Sequence, residues 1–309
     1  MTAIAEPRTA APLAPSATRA RERSRLLVAT AGEPDSRGAL RTAAALTQRD
    51  DAEVMALGVA MPFPNRLGSF ASMKSPVMID DERRCAVLSR IQRSTQRLPA
   101  AAEWTKQAAV GMPAETINEV AASWRASMIV LGIGRHTRLD RVFGSETAVA
   151  VMRRARIPVL AVPPSTRQLP RHVLVAMDFT GASVAAADVA AAVMDATGVI
   201  TVAHVCAFGG VDYREGDLVD IYRAGARAKL DQTARELRAR TGRCVETAML
   251  EGAPAEALLD YARREHCDLI ALGGHEQGLM DRILLGSVRT AVVRGARCGV
   301  LIAPPAAPR

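Results

Sequence analysis

The residues best suited to chemistry lie between Leu269 and Val293, where glycines and a serine hydroxyl follow a short apolar run. Leu269 to Leu272 suits a buried strand. Gly273, Gly274 and Gly278 belong to the loop behind it, and Gly286-Ser287 opens a helical segment with Val288, Ala291 and Val292 spaced along one face. The first N–H groups of a helix lack backbone partners, and Ser287 is placed to accept from them as an N-cap. Those N–H groups, the positive end of the helix dipole and glycine's missing Cβ make such a junction a phosphate cradle. A plainer reading stands beside it: glycines after a strand serve turns, and Gly-Ser before a helix is an ordinary cap. The loop holds no lysine, which excludes a Walker-type phosphate loop. The chain has no Gly-x-Ser-x-Gly elbow and no zinc-binding helix motif. Asp80-Asp81-Glu82 at a helix start complements the dipole better than it serves as an acid–base pair.

The same pattern occurs earlier. Gly132 and Gly134 end an apolar run from Met128, and Gly144-Ser145 follows at the next helix start. Gly132 and Gly273 lie 141 residues apart (273 − 132), and Gly144 and Gly286 lie 142 apart (286 − 144). Upstream, Gly111-Met112-Pro113 matches Gly252-Ala253-Pro254; downstream, Pro158 to Pro163 matches Gly299 to Pro304. Collinear matches at nearly one offset make the chain two copies of one domain, with a loop one residue shorter in the first copy.

These junctions need strands and helices in alternation. In the first copy, strands are expected at Leu26–Thr30, Ala52–Val59, Ala102–Val110, Met128–Leu131 and Val159–Val162. Helices are expected from Ser36, as a cap, to about Thr47, at Asp80–Leu98, from Pro113, and from Gly144-Ser145. In the second, strands fall at Val173–Met177, Ile200–Val205, Val245–Leu250, Leu269–Leu272 and Val300–Ala303, with helices at Val184–Thr197, Val219–Thr241, Pro254–Glu265 and from Gly286. Continuous apolar strands alternating with helices define an α/β class: two tandem, open, five-stranded, mainly parallel sheets covered by helices on both faces. The expected boundaries are a disordered tail over 1–24, domains over 25–163 and 171–304, a linker over 164–170 and a short tail over 305–309.

Composition narrows the function. The chain has 309 residues, 49% hydrophobic and 23% charged, enough for two cores. No apolar run approaches the roughly 18 residues that span a membrane, and the Ala/Pro/Arg-rich start lacks a signal peptide's apolar centre. Cys85, Cys206, Cys244, Cys267 and Cys298 are odd in number without metal spacing, which points to free thiols in a reducing cytoplasm. The net charge of +8 comes almost wholly from arginine, since only Lys74, Lys106 and Lys229 are lysines. These arginines spread over helices and the tail, so they read as solvated faces and not as a nucleic-acid footprint.

On these residues the chain resembles a tandem universal stress protein. That family has an adenine-nucleotide-binding α/β fold, Rossmann-like and of the adenine-nucleotide alpha-hydrolase type. Its signature is Gly, two residues, Gly, nine residues, Gly, then Ser or Thr. The resemblance implies a nucleotide site in the second domain at Ala176, Met177, Asp178, Val205, Leu272, Gly273, Gly286, Ser287 and Val288, with Asp178 accepting from the nucleotide and Val205 near adenine. Glu276 stands at the second signature glycine, with Gly274, Gly278 and Arg282 as compensating residues. In the first domain Ala31 replaces the Asp, while Gly132, Gly134, Gly144 and Ser145 keep a possible second site, with Arg135 and His136 as added donors. The ligand implied is ATP or another adenine nucleotide, with Mg2+ as its companion ion and no metal site in the protein. The resemblance also implies two domains paired about a pseudo-two-fold axis through their last strands, a homodimer, a protein partner of unknown identity, and a regulatory role in stress. A scaffold of the same fold with degenerate sites is the alternative, and a slow ATPase the third. Asp178 has a structural alternative as a helix cap, and His204 as a satisfied core histidine.

Overall fold

A computed structural model of the chain describes residues 23–62, 76–134, 145–207, 216–274 and 285–305. The first repeat runs β1 (Arg25–Ala29), α1 (Arg37–Asp50), β2 (Glu53–Ala60), α2 (Pro76–Thr95), β3 (Thr105–Val110), α3 (Pro113–Ser123), β4 (Met128–Gly132), α4 (Ser145–Arg154) and β5 (Val159–Val162). The second runs β6 (His172–Ala176), α5 (Gly181–Val193), β7 (Val199–Cys206), α6 (Gly216–Thr241), β8 (Cys244–Glu251), α7 (Pro254–Arg264), β9 (Leu269–Gly273), α8 (Leu285–Gly295) and β10 (Gly299–Ala303).

The strands form one ten-stranded sheet in the order β3-β2-β1-β4-β5-β10-β9-β6-β7-β8. Within each repeat every pairing is parallel. The single antiparallel pairing is β5 with β10, where Leu160 faces Leu301 and both are almost wholly buried. The two expected sheets are therefore continuous, because each repeat leaves an apolar edge strand that the other covers. Helices cover both faces: α1, α2, α5 and α6 pack over one core, and α3, α4, α7 and α8 over the other. The inner strands are buried on both sides, which is why they read as apolar runs, whereas the edge strands β3 and β8 are partly exposed and carry polar residues.

Several boundaries differ from the sequence reading. Ser36 precedes α1 but makes no side-chain cap, since a 3-10 turn over Pro34–Ser36 already leads the backbone into the helix. A second 3-10 turn, Pro99–Ala101, shortens the third strand at its start. α5 begins at Gly181 because Thr180 caps it, accepting from the Ser183 N–H at 3.3 Å. α8 begins at Leu285, so Gly286 and Ser287 lie in its first turn and Ser287 is not the cap. Leucine is a good helix former, so the helix extends upstream of the Gly-Ser pair. The buried face of α8 carries Val292 and Val293, with Ala296 buried just past its end, while Ala291 points outward. The loop residues Arg135, His136, Gly144, Glu276, Gly278 and Arg282 lie outside the described residues.

Candidate functional site

In each repeat the chain winds out from its first strand to one side and then returns to the other. β6 thus lies between β7 and β9, and a crevice opens beyond their carboxyl ends, where open α/β sheets take ligands. A cleft of about 170 Å3 sits there. Its floor is Ala176, Met177 and Asp178 from the end of β6 and Ala203, His204 and Val205 from β7. Its walls are Leu272, Gly273 and Gly274 behind β9, Pro254 and Leu258 on α7, and Val288 and Arg289 on α8. The cleft thus brings together Ala176, Met177, Asp178, Val205, Leu272, Gly273 and Val288 of the expected set. Gly286 and Ser287 stand in the first turn of α8, ahead of Val288.

Asp178 is held by its own turn. Its Oδ1 accepts from the Thr180 N–H at 3.0 Å and from the Thr180 hydroxyl at 2.6 Å. The cap of α5 is therefore Thr180, and Asp178 fixes the cap instead of being it. Burial pushes the carboxyl up, but hydrogen bonds from the Thr180 and Ser183 side chains and from backbone N–H groups outweigh it and hold it below its ordinary range. The carboxylate is charged at neutral pH and aimed by a rigid turn.

His204 supports the same floor. Its Nδ1 lies 2.8 Å from the Met177 carbonyl oxygen and its Nε2 lies 3.0 Å from the Tyr222 hydroxyl. A carbonyl can only accept, so Nδ1 carries the proton, and a neutral ring leaves Nε2 to accept from Tyr222. Phe179 stacks on this ring with centroids 4.8 Å apart. Phe179 holds φ +65°, a left-handed conformation disfavoured for a bulky residue. Strain of this kind persists only where the surroundings over-determine it. Here the fixed neighbours are Asp178 and Thr180 on either side and the imidazole beneath.

The first repeat places different residues at the same points. Counting from the ends of β1 and β6 sets Thr30, Ala31 and Gly32 beside Met177, Asp178 and Phe179. Thr30 and Met177 both donate their N–H to the neighbouring strand, at Leu57 and Ala203 respectively, which fixes the register. Gly58 then matches His204. Gly32 carries φ +75°, and a Cβ there would lie 2.6 Å from the Arg90 carbonyl carbon. A Cβ on Gly58 would lie 2.7 Å from the Ile91 Cδ1. Helix α2 therefore packs straight onto the sheet end, in the space that Phe179 and His204 fill in the second repeat. Gly132 and Gly134 are crowded too: a Cβ on Gly132 would lie 3.1 Å from the Asp35 carbonyl carbon, and one on Gly134 2.6 Å from the Asp35 carboxyl carbon. Asp35 thus presses a carboxylate against the glycine of the possible second cradle. Glu33 stands where Thr180 does and pairs with Arg90 at 3.5 Å. Among the described residues, the backbone of Ser145 starts α4.

Sequence reasoning missed Arg289, His204 as part of the floor, and Pro254 and Leu258. The Pro254 signal was available in the repeated Gly-x-Pro motif that opens α7. Arg289 had a weaker signal: it follows the Gly286-Ser287-Val288 group directly. Gly274, proposed to compensate for Glu276, donates its N–H to the Ala303 carbonyl and so has none left for a phosphate. Among the described residues, no group of three or more His, Cys, Asp or Glu side chains could hold a metal, and no helix is long and apolar enough to cross a membrane.

Fold and cleft define a tandem α/β protein of Rossmann-like winding, with a ligand-sized crevice at the switch point of its second repeat. The chain belongs to the universal stress protein family, whose sequence profile matches residues 22–163 and 170–304. A universal stress protein from Archaeoglobus fulgidus has the same fold, with a TM-score of 0.65 at 20% identity over 91% of this chain and 98% of that one. A second similar structure, from Pseudomonas aeruginosa, has a TM-score of 0.59 at 15% identity over 92% of this chain and 93% of that one. Among curated relatives, universal stress protein MJ0531 of Methanocaldococcus jannaschii is 41% identical over 58 residues, which is 19% of this chain and about a third (34%) of that protein.

Proposed function

We propose that the chain binds one adenine nucleotide, in the second repeat, and acts as a nucleotide-dependent regulatory protein of the stress response. The observation that carries this reading is the convergence of Asp178, Val205, Leu272, Gly273 and Val288 on one cleft at the carboxyl ends of β6, β7 and β9. The apolar wall of Val205, Leu258, Leu272 and Val288 suits the faces of a purine. The Asp178 carboxylate suits a hydroxyl or amino donor, and its lowered acidity range keeps it an acceptor at neutral pH. The cleft, at about 170 Å3, is smaller than the roughly 300 Å3 or more that encloses a drug-sized ligand. It therefore seats the nucleoside and leaves the phosphates toward Gly273 and the first turn of α8. Mg2+, where present, would be held by those phosphates.

Calorimetric titration of ATP, ADP and AMP into the wild type, Asp178→Ala and Ser145→Ala tests the proposal. Losing a hydrogen bond to a charged group costs about 1.5–3 kcal/mol, so Asp178→Ala should weaken binding by roughly tenfold to a hundredfold, and Ser145→Ala should leave it unchanged. Loss with Ser145→Ala alone would move the site to the first repeat. Absence of heat and of thermal shift with every nucleotide would favour the degenerate scaffold, the reading that Ala31 and Asp35 support in the first repeat. Nucleotide turnover by the wild type that Asp178→Ala lacks would instead favour a slow ATPase.

A further inference from the structure

Among the described residues that line the cleft, Arg289 is the one with a permanent positive charge. It is half-buried on α8, and among the described residues it forms no hydrogen bond and no ion pair within 4.0 Å. A half-buried guanidinium without such partners is costly, since its five donors want acceptors. Burial, the largest effect, and the nearby Arg153 both work against its charge, while Asp178 works for it. Arg153 belongs to the first repeat. It sits on α4, which packs against α8, and its Nη2 donates to the Thr290 hydroxyl at 3.4 Å, next to Arg289 in the chain. One turn further along α8, Arg294 makes a two-pronged ion pair with Glu146 of α4, at 2.8 and 2.9 Å. The two helices are thus tied at one point with charges satisfied; at the cleft, Arg289 has only the Asp178 carboxylate acting in its favour and the exposed Arg153 of α4 acting against it.

We infer that Arg289 selects phosphorylated over unphosphorylated nucleoside in this cleft, and that Arg153 of the first repeat adds to that selectivity from across the seam. The inference rests on the nucleotide reading above and deepens it. An anion at the cleft mouth supplies the acceptor that Arg289 lacks and relieves its repulsion with Arg153. The guanidinium offers two parallel N–H groups, which match two phosphate oxygens. The second repeat's ligand choice is then set partly by a residue of the first, which gives a reason for the two repeats to be one chain.

The test titrates AMP and adenosine into the wild type, Arg289→Ala, Arg289→Lys, Arg153→Ala and Arg153→Lys at two salt concentrations. The wild type should favour AMP over adenosine by about tenfold or more, a charge-assisted bidentate contact being the difference. Arg289→Ala should bring that ratio close to one, and Arg289→Lys should restore part of it. Arg153→Ala should lower the ratio by about two- to fivefold at low salt and less at high salt, as screening dictates, and Arg153→Lys should keep it. Adenosine and AMP binding equally in the wild type, or an unchanged ratio in Arg289→Ala, would overturn the inference and leave the nucleotide site standing. Failure of both ligands to bind would overturn the site and the inference together.

Discussion

At the scale of single residues, the site proposed for the second repeat centres on an acceptor that the fold already holds in place. Asp178 spends hydrogen bonds on Thr180, and that is what keeps it charged and in place. Its folded pKa lies below the ordinary value of 3.8. The charged form therefore contributes stability above about pH 4, which is lost as pH falls through the lowered value. Wild-type stability should fall more steeply than that of Asp178→Asn on acidification from about pH 5 to 2, as followed by urea unfolding. Equal slopes would show that the carboxylate is not stabilised by the fold. The cysteines give a second readout. Burial pushes Cys267 to about 12 and Cys298 to about 11, whereas Cys85 and Cys244 are exposed. Thiolates are the reacting species, so iodoacetamide at neutral pH should label Cys85 and Cys244 well before Cys267 and Cys298. Cys206 and Cys267 are buried and Cys298 is half-buried, while α2 and the edge strand β8 leave Cys85 and Cys244 outside. Asp178 was legible as a site residue only through the family pattern. Nothing in its immediate sequence separates an Asp that caps from one that steadies the cap. Arg289 was invisible for a related reason: an arginine in a helix is normally a solvated one, and only the fold turns this one into a cleft.

At the scale of elements, the periodic signals were read well where burial dictates them. The inner strands were readable as apolar runs, the edge strands β3 and β8 carry polar residues among apolar ones, and the Pro113 and Pro254 helix starts fell where proline permits. The α1 start behind Ser36 fell where expected although the serine side chain makes no cap bond, whereas the α5 start at Thr180 was missed, because competing turn geometries have similar sequences. Glycine pairs with opposite roles test the packing. Gly38 in α1 lies against the linker, and a Cβ there would lie 2.9 Å from the Pro163 carbonyl carbon and closer still to its oxygen. Backbone cannot step aside cheaply, so Gly38→Ala should destabilise by about 1–3 kcal/mol. Gly225 in α6 has nothing within 4 Å of such a Cβ. Gly225→Ala should stabilise by about 0.5–1 kcal/mol, and opposite shifts in the urea midpoint would confirm both. Replacing the left-handed Phe179 by glycine relieves backbone strain of about 1 kcal/mol but removes an aromatic side chain whose burial is worth about 1.5–3 kcal/mol. Net destabilisation is expected.

At the scale of the molecule, the repeat was legible in the motifs, and the family resemblance carried its consequence, a pairing through the last strands, which β5 and β10 make. Four matches at offsets of 141 and 142 residues establish two copies, yet the motifs alone do not say that β5 and β10 merge them into one sheet. Leu160 and Leu301 face each other across that seam. Leu160→Ala should cost about 2–5 kcal/mol and lower the midpoint of a single calorimetric transition. Two separated transitions would show that the repeats unfold independently. The copies have also diverged in opposite directions. The first has closed its sheet end with Gly32, Gly58 and Asp35 under α2, and the second has kept Asp178 open to a cleft. One chain with one site is the central claim. The measurement that tests it most directly is the binding stoichiometry of adenine nucleotide, read by calorimetry against a calibrated protein concentration. One nucleotide per chain, abolished by Asp178→Ala, is the result expected. Two per chain, or one that survives Asp178→Ala, would contradict it.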